Sequence, residues 1–359
     1  MSLNTIKIVP FQRILLTWFR HNQRSLPWRG QTDWYPVFLS EFLLQQTRVQ
    51  QALPYYEKFI SAYPDITALA AADEDDILAM WTGLGYYARA RNLLKAARQI
   101  TGRFNGHFPH TYKEALSLPG IGPYTATAVL SIAYNQPYPV IDGNVIRVLS
   151  RIFMISEDTR LTSTRKTIEQ LANQLIDKQQ PGHFNEALME LGAIICTPRR
   201  PNCSSCPVYS FCRAGQSKQA ESFPVRSRPP EKRKLNHFVF LIRQNGAILL
   251  ARRPATGLLA GMWEFPYAAT DNLDSAPAEL PGLLQKTYGI KGKFRSVSPV
   301  LQHIYSHIRL RYRAVLIDDA AGKFKNKFYD KFVWKPLTEM DNLRLHTAHA
   351  KAWNWLIEQ

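Results

Sequence analysis

Apolar positions recur every three and four residues through most of the first 212 residues, the spacing that gives a helix one buried face. Ile8, Phe11, Ile14, Leu15, Trp18 and Phe19 form such a stripe, with Lys7, Arg13 and Arg20 between them. The N-terminus therefore reads as an amphipathic core helix and not as a signal peptide. Leu69, Ile77, Leu78 and Trp81 continue the period, as do Ile168, Leu171 and Leu175. Prolines and glycines at 27, 54, 64, 83–85, 102–109, 119–123 and 137–139 break it, so an all-α region of several helices is expected. Residues 213–236 are polar, basic and proline-bearing and read as a linker. Beyond them the period drops to two. HFVFLIRQNGAILLARR predicts a β-hairpin turning at Asn245-Gly246, and IRLRYRAVLID predicts a half-solvated strand. Helices fit within 276–288 and 347–358, which makes the tail an α+β domain with its own core.

Composition narrows the partner. The chain has 359 residues and a net charge of +17, with 23 Lys and Arg against 17 Asp and Glu in residues 1–224 and 22 against 11 in the rest. Such an excess favours a polyanion, nucleic acid ahead of an acidic membrane surface. No segment reaches the ~18 consecutive apolar residues of a membrane span. A cytoplasmic protein is expected, and its cysteines need a purpose other than disulfides.

All four cysteines, Cys196, Cys203, Cys206 and Cys212, fall within seventeen residues. Thiolates crowded in this way suit one metal or iron–sulfur centre, and ligand type alone leaves zinc and a four-iron cluster both open. Upstream, LPGIGPYTA (118–126) places Gly120 and Gly122 just before a helix N-terminus, where backbone N–H groups can hold a phosphate. The Gly-Lys-Ser/Thr of a nucleotide P-loop is missing, which leaves a nucleic-acid phosphate. Next comes VIDGNV (140–145), whose Asp142 is placed to cap the following helix and to stay ionised at its positive end.

The x6-x2-x5 cysteine spacing after a helical region with LPGIG resembles the endonuclease III superfamily of DNA glycosylases. That resemblance covers residues 8–212 and implies a [4Fe–4S] cluster held by the four cysteines. It implies a helix–hairpin–helix core, with a six-helix lobe at about 26–135 and a cluster lobe made from 1–25 and 136–212. It further implies that Asp142 is the catalytic carboxylate beside an oxocarbenium-like sugar, supported by Asn144 and Tyr124. Bifunctional members carry a lysine where this chain has Tyr124; a tyrosine forms no Schiff base, so hydrolysis by water is expected.

Glu41 lies in VFLSEFLLQQT, a helix apolar on nearly every side. Burial there would raise its pKa and let it deliver a proton near neutrality. LSEFLLQQT, LPWR (26–29) and WTGLGYYARARN (81–92) resemble the adenine DNA glycosylase (MutY-like) family. By that resemblance Glu41 is the general acid and then activates water, and Arg29 lines the adenine pocket. Gln46, Thr47, Leu84 and Tyr86 contact DNA, with Gln46 and Tyr86 entering the base stack.

In the tail, GLLAGMWEFP (257–266) resembles the opening of the nudix fold, yet APAELPGLLQKTYGI carries a single Glu279 where the metal carboxylates belong. A binding domain over 237–359 is expected, not a pyrophosphatase. Tyr305, Ser306 and His307 resemble the family's Phe-Ser-His turn, which checks for 8-oxoguanine, with tyrosine replacing the usual phenylalanine. The expected whole is an all-α glycosylase region over 1–212, a linker over 213–236 and a nudix-like lesion reader. Its expected partner is double-stranded DNA with adenine opposite 8-oxoguanine or guanine, bound by a monomer of a bacterial enzyme. An endonuclease III-like lyase on oxidised pyrimidines and a non-catalytic DNA-binding protein are the competing readings.

Overall fold

A computed structural model describes residues 7–31, 33–227, 231–274, 279–305, 307–326, 328–343 and 345–359. The chain divides into two compact units, Met1–Arg228 and Pro229–Gln359.

The first unit is helical: α1 (Ile8–Asn22), α2 (Trp34–Leu44), α3 (Val49–Ala62), α4 (Ile66–Ala71), α5 (Glu74–Met80), α6 (Ala88–Arg103), α7 (Tyr112–Leu116), α8 (Pro123–Ile132), α9 (Gly143–Phe153), α10 (Thr162–Leu175), α11 (Pro181–Glu190) and α12 (Arg213–Gln216). It has two cores. Side chains of α2–α8 form one, around Phe38, Phe42, Phe59 and Trp81. The apolar stripe of α1 instead joins α9, α10 and α11, with Phe11, Leu15 and Phe19 against Leu149, Leu171 and Phe184. The chain thus starts in one core, builds the other and returns. Helix α2 has almost no polar face, which suits its position: Tyr35 and residues 37–43 are all buried. Helix α8 packs against both α2 and α11, so the seam between the cores runs along it.

The stretch expected as a linker begins differently. Residues 213–227 are tied to the helical unit, where buried Arg151 of α9 donates to the carbonyls of Ala220 and Phe223 at 2.8 and 3.1 Å. Thr159 N–H donates to Val225 O at 3.1 Å, and Asp158 accepts from Ser227 N–H at 3.0 Å. Most of the polar side chains that suggested a linker face solvent; the backbone supplies most of the anchoring, and Glu221 Oε1 adds to it by accepting from Arg200 N–H at 2.7 Å.

Among the described residues, the second unit holds an eight-stranded mixed sheet: β1 (Arg233–Gln244), β2 (Ala247–Arg252), β3 (Trp263–Glu264), β4 (Tyr267–Ala269), β5 (Lys291–Val297), β6 (Leu301–Ile304), β7 (Ile308–Ala321) and β8 (Lys331–Pro336). Its central path runs β3-β2-β1-β7-β5, with β1 parallel to β7. The β1–β2 hairpin turns at Asn245 and Gly246, with φ of 50° and 73°, as a type I′ turn requires. Side chains alternate along β1. Phe238, Phe240 and Ile242 meet α13 (Leu280–Tyr288) on one face. Val239 and Leu241 meet α14 (Thr347–Ile357) on the other. Among the described residues, no helix is long and apolar enough to cross a membrane.

Candidate active site

A cavity of about 460 Å³ opens on the seam of the helical unit, lined by α2, α8, the α9 N-terminus, α11 and the segment before α2. Glu41, Asp142, Tyr124, Asn144 and Arg29 all line it. The chain brings them together from sequence positions more than a hundred residues apart because α8 joins α2 to α11.

Glu41 is 5% exposed, and its Oε2 has no hydrogen-bond partner among the described residues. Burial pushes its carboxyl up to about 7; the Tyr124 hydroxyl pulls in the opposite direction, and the nearby Asp142 and Glu186 add to the rise. Tyr124 points its hydroxyl toward Met189 Sδ, 3.9 Å away. Asp142 caps α9 as its sequence context predicts: Oδ1 accepts from Val145 N–H at 2.6 Å and Oδ2 from Asn144 Nδ2 at 2.7 Å. The cap does not decide its ionisation alone. Burial raises the Asp142 carboxyl above its ordinary value, while those hydrogen bonds and Arg147 oppose the shift.

Charge on the opposite wall is organised around two glutamates of α11 that the sequence reading did not single out. Glu190 accepts from Arg24 at 2.7 and 2.9 Å, a bidentate pair, and from Arg29 Nη2 at 3.1 Å. Arg29 Nε also reaches Glu186 Oε1 at 3.1 Å, and Nη1 donates to Arg24 O at 2.9 Å. Burial would raise Glu190, yet the hydrogen bonds from Arg24 and Arg29 overcome it and hold the carboxylate at about 2. Burial raises Glu186, with Arg29 opposing. Only spacing on α11, four residues apart on one face, could have signalled the pair.

Two turns, both tied to Arg89, carry most of the remaining helical candidates. Gln46 and Tyr86 sit at their tips, exposed, with φ of 58° and 52°. Left-handed backbone at two non-glycine residues is strain that something must hold in place. Arg89, 7% exposed, holds both: Nη1 donates to the carbonyls of Phe42, Leu43 and Gln45, and Nη2 to those of Leu84 and Gly85 at 3.3 and 3.2 Å. Leu84, expected at the DNA, is only 6% exposed and belongs to the core around Trp81. Thr47 is half-buried on the cavity wall. Gly120 adopts φ of 77°, where a Cβ would meet Asn92 Cβ at 2.7 Å, and Gly122 caps α8 in open space.

The four cysteines are unpaired and half-buried. Arg151 Nη1 donates to Cys196 Sγ at 3.2 Å, and Gly215 N–H donates to Cys212 Sγ at 3.3 Å. The donor set is four thiols from one short loop, which suits a four-iron cluster held by cysteine at every corner.

Residues 39–178 match the HhH-GPD superfamily of base excision DNA repair proteins, 196–212 the iron-sulfur binding domain of endonuclease III, and 238–355 the NUDIX domain. An adenine DNA glycosylase of Mus musculus is 36% identical over 85% of this chain and 70% of its own length. The adenine DNA glycosylase of Buchnera aphidicola subsp. Baizongia pistaciae is 32% identical over 95% of both chains. The chain belongs to the adenine DNA glycosylase family. A solved thermostable thymine-DNA glycosylase is 30% identical, covers 58% of this chain and 95% of its own, and superposes with a TM-score of 0.53. The chain is therefore a base-excision DNA glycosylase with a helix–hairpin–helix core, a [4Fe–4S] cofactor site at the four cysteines and a nudix-like tail.

For a glycosylase of this family the link between cluster loop and cavity is short. Arg147 of α9 donates to Asn144 Oδ1 at 2.9 Å, Gly192 O at 2.6 Å and Cys196 O at 2.7 Å. A single π-helical turn, Leu191–Ile195, brings Gly192 so close to Asn144 that a Cβ there would meet Asn144 Cβ at 2.6 Å. Neither arginine nor the turn had been singled out; buried arginines spaced four apart before a cysteine loop are the signal.

In the tail, Tyr305 is half-buried and His307 exposed, and Ser306 lies outside the described residues. Tyr305 Oη lies 3.4 Å from His346 Nδ1, and His346 Nε2 is 2.9 Å from Glu264 Oε2. Glu264 also accepts from Arg253 and Tyr329 at 2.8 and 2.9 Å. His349 Nδ1 accepts from Phe265 N–H at 3.0 Å, so a neutral ring keeps its proton on Nε2 and has no lone pair left for a cation. Of the basic residues on β7, Arg309 and Arg311 are exposed, but Arg313 is already paired with Asp274 at 3.1 Å.

Proposed function

We propose that the protein is a monofunctional adenine glycosylase that acts, as a monomer, on adenine opposite 8-oxoguanine or guanine in duplex DNA. The observation that carries the reading is Glu41. A buried carboxyl with a free oxygen, held near neutrality and facing the same cavity as Asp142, suits an acid that must protonate a base. In this reading Glu41 gives its proton to adenine N7 as the C1′–N9 bond breaks, and the neutral base leaves. The Asp142 carboxylate faces the oxocarbenium-like sugar and stabilises its charge, with Asn144 and Tyr124 fixing the carboxylate and closing the site. Water then adds to C1′, and its proton returns to Glu41. Tyr124 offers no amine for a Schiff base, so the product is an intact abasic site.

Arg29 would shape the adenine pocket, and Gln46, Thr47 and Tyr86 would meet the opened duplex, which costs a few kcal/mol to unstack. Gly120 and Gly122 would present backbone N–H groups to a phosphate. The tail would read the opposite base through Tyr305, Ser306 and His307. The test is single-turnover base release from duplexes with adenine opposite 8-oxoguanine, guanine or thymine. Release from the first two without strand scission, and its loss in Glu41→Gln with duplex binding kept, is the expected result. Strand cleavage with a borohydride-trapped adduct would favour a lyase instead.

A further inference from the structure

The cavity holds a conflict of charge. Arg24 and Arg29 line it together with Glu41, and a cation close to a carboxyl ordinarily draws its pKa down by about 1–3 units. Burial nevertheless holds the Glu41 carboxyl up, with Asp142 and Glu186 adding to the rise. The charged and titratable groups around it are Tyr124 on α8, Asp142 at the start of α9, Glu186 and Glu190 on α11, Arg24 and Arg29 before α2, and Arg48 before α3.

We propose that Glu190 is a positioning residue that ties Arg24 and Arg29 into one ion-pair cluster and thereby keeps their charge off Glu41. The geometry is specific. Glu190 has a side chain 1% exposed and spends both oxygens on the two guanidinium groups, while Arg24 backbone N–H adds a further bond at 2.9 Å. Arg29 is thereby held from three sides, and its planar fork is spent on Glu190, Glu186 and Arg24 O. Glu190 never touches the reacting atoms. It lets the cavity keep two cations, useful for holding a base or a phosphate, without ionising the acid. The inference rests on the reading of Glu41 as proton donor.

The test is the pH dependence of single-turnover adenine release by the full-length protein with its cluster. Wild type should lose rate as pH rises through about 7, the Glu41 value. In Glu190→Gln, which keeps the shape and removes the charge, the midpoint should fall by about one unit, roughly a tenfold loss at pH 8 against a twofold loss at pH 6. Arg29→Lys, which keeps a cation but loses the fork, should shift the midpoint the same way, and carries the test if the first variant does not fold. Adding Arg29→Met to Glu190→Gln should return the midpoint toward wild type. A lower plateau with an unmoved midpoint in the folded variants overturns the proposal and leaves Glu190 as packing. Glu41→Gln run alongside separates the two claims: if it retains activity, the acid assignment fails first.

Discussion

At the scale of single residues, Glu41 shows what a proton donor costs the fold. Its carboxyl is raised from 4.5 to about 7, so the folded state resists an ionisation that the unfolded chain accepts. Below 4.5 both states are protonated and nothing is lost. Between 4.5 and 7 the unfolded state gains charge first, and stability falls by on the order of 3 kcal/mol once pH exceeds 7. Glu41→Gln should therefore melt several degrees above wild type at pH 8 and near it at pH 5, read by calorimetry on the cluster-bound protein. Equal melting temperatures at both pH values would mean that Glu41 is not buried as a neutral acid. The same residue was legible from sequence, because a lone glutamate among Val37, Phe38, Phe42 and Leu44 has no solvated face to occupy. Glu190 was not: its environment is made by Arg24 and Arg29 from 160 residues away, which no local pattern carries.

At the scale of elements, the two turns that present Gln46 and Tyr86 owe their shape to Arg89, which lies on α6 and belongs to neither tip. Five backbone carbonyls converge on one guanidinium, and burial lowers its pKa to about 10 without neutralising it at physiological pH. Arg89→Met keeps much of the volume but leaves those carbonyls short of a donor. Each unsatisfied group costs about 1–3 kcal/mol, and the tips would relax from left-handed backbone. The expected outcome is a loss of duplex affinity of tenfold or more, with far-ultraviolet circular dichroism retained at low temperature. Unchanged affinity would show that the tips hold their strained backbone unaided. Helices, breaks and the hairpin at Asn245-Gly246 were readable because hydrophobic period and turn chemistry act locally. The burial of Leu84 beside Trp81 was not legible, because its place in the motif reports the family resemblance and not how the side chain packs. The supposed linker misled for a related reason: composition reports side chains, and 213–227 is anchored largely through its backbone.

At the scale of the whole molecule, the chain forms two units with separate cores. The helical unit carries the cavity and the cysteines, and the second carries a nudix-like sheet without a full set of metal carboxylates. Such a division predicts that chemistry and choice of mispair separate. The anchoring of 213–227 to α9 and to Thr159 says where to cut: ending the chain after residue 228 retains that segment, whereas ending it near 212 exposes Arg151. The truncated protein should still release adenine, since every cavity residue lies before 191 or at Ala193. Its rate ratio between adenine opposite 8-oxoguanine and opposite guanine should narrow. A hydrogen bond that reads the lesion is worth about 1–3 kcal/mol, so the expected narrowing is roughly five- to a hundredfold. In the full chain, His307→Ala and Tyr305→Phe distinguish a reader from a general DNA clamp. Loss of a reader changes the ratio of the two mispairs at fixed salt. Loss of a clamp made by Arg309 and Arg311 weakens both equally and lowers the salt dependence of binding. If truncation and the His307 variant both keep the wild-type ratio, the tail does not choose the mispair, and the discrimination must lie around the turns of Gln46 and Tyr86.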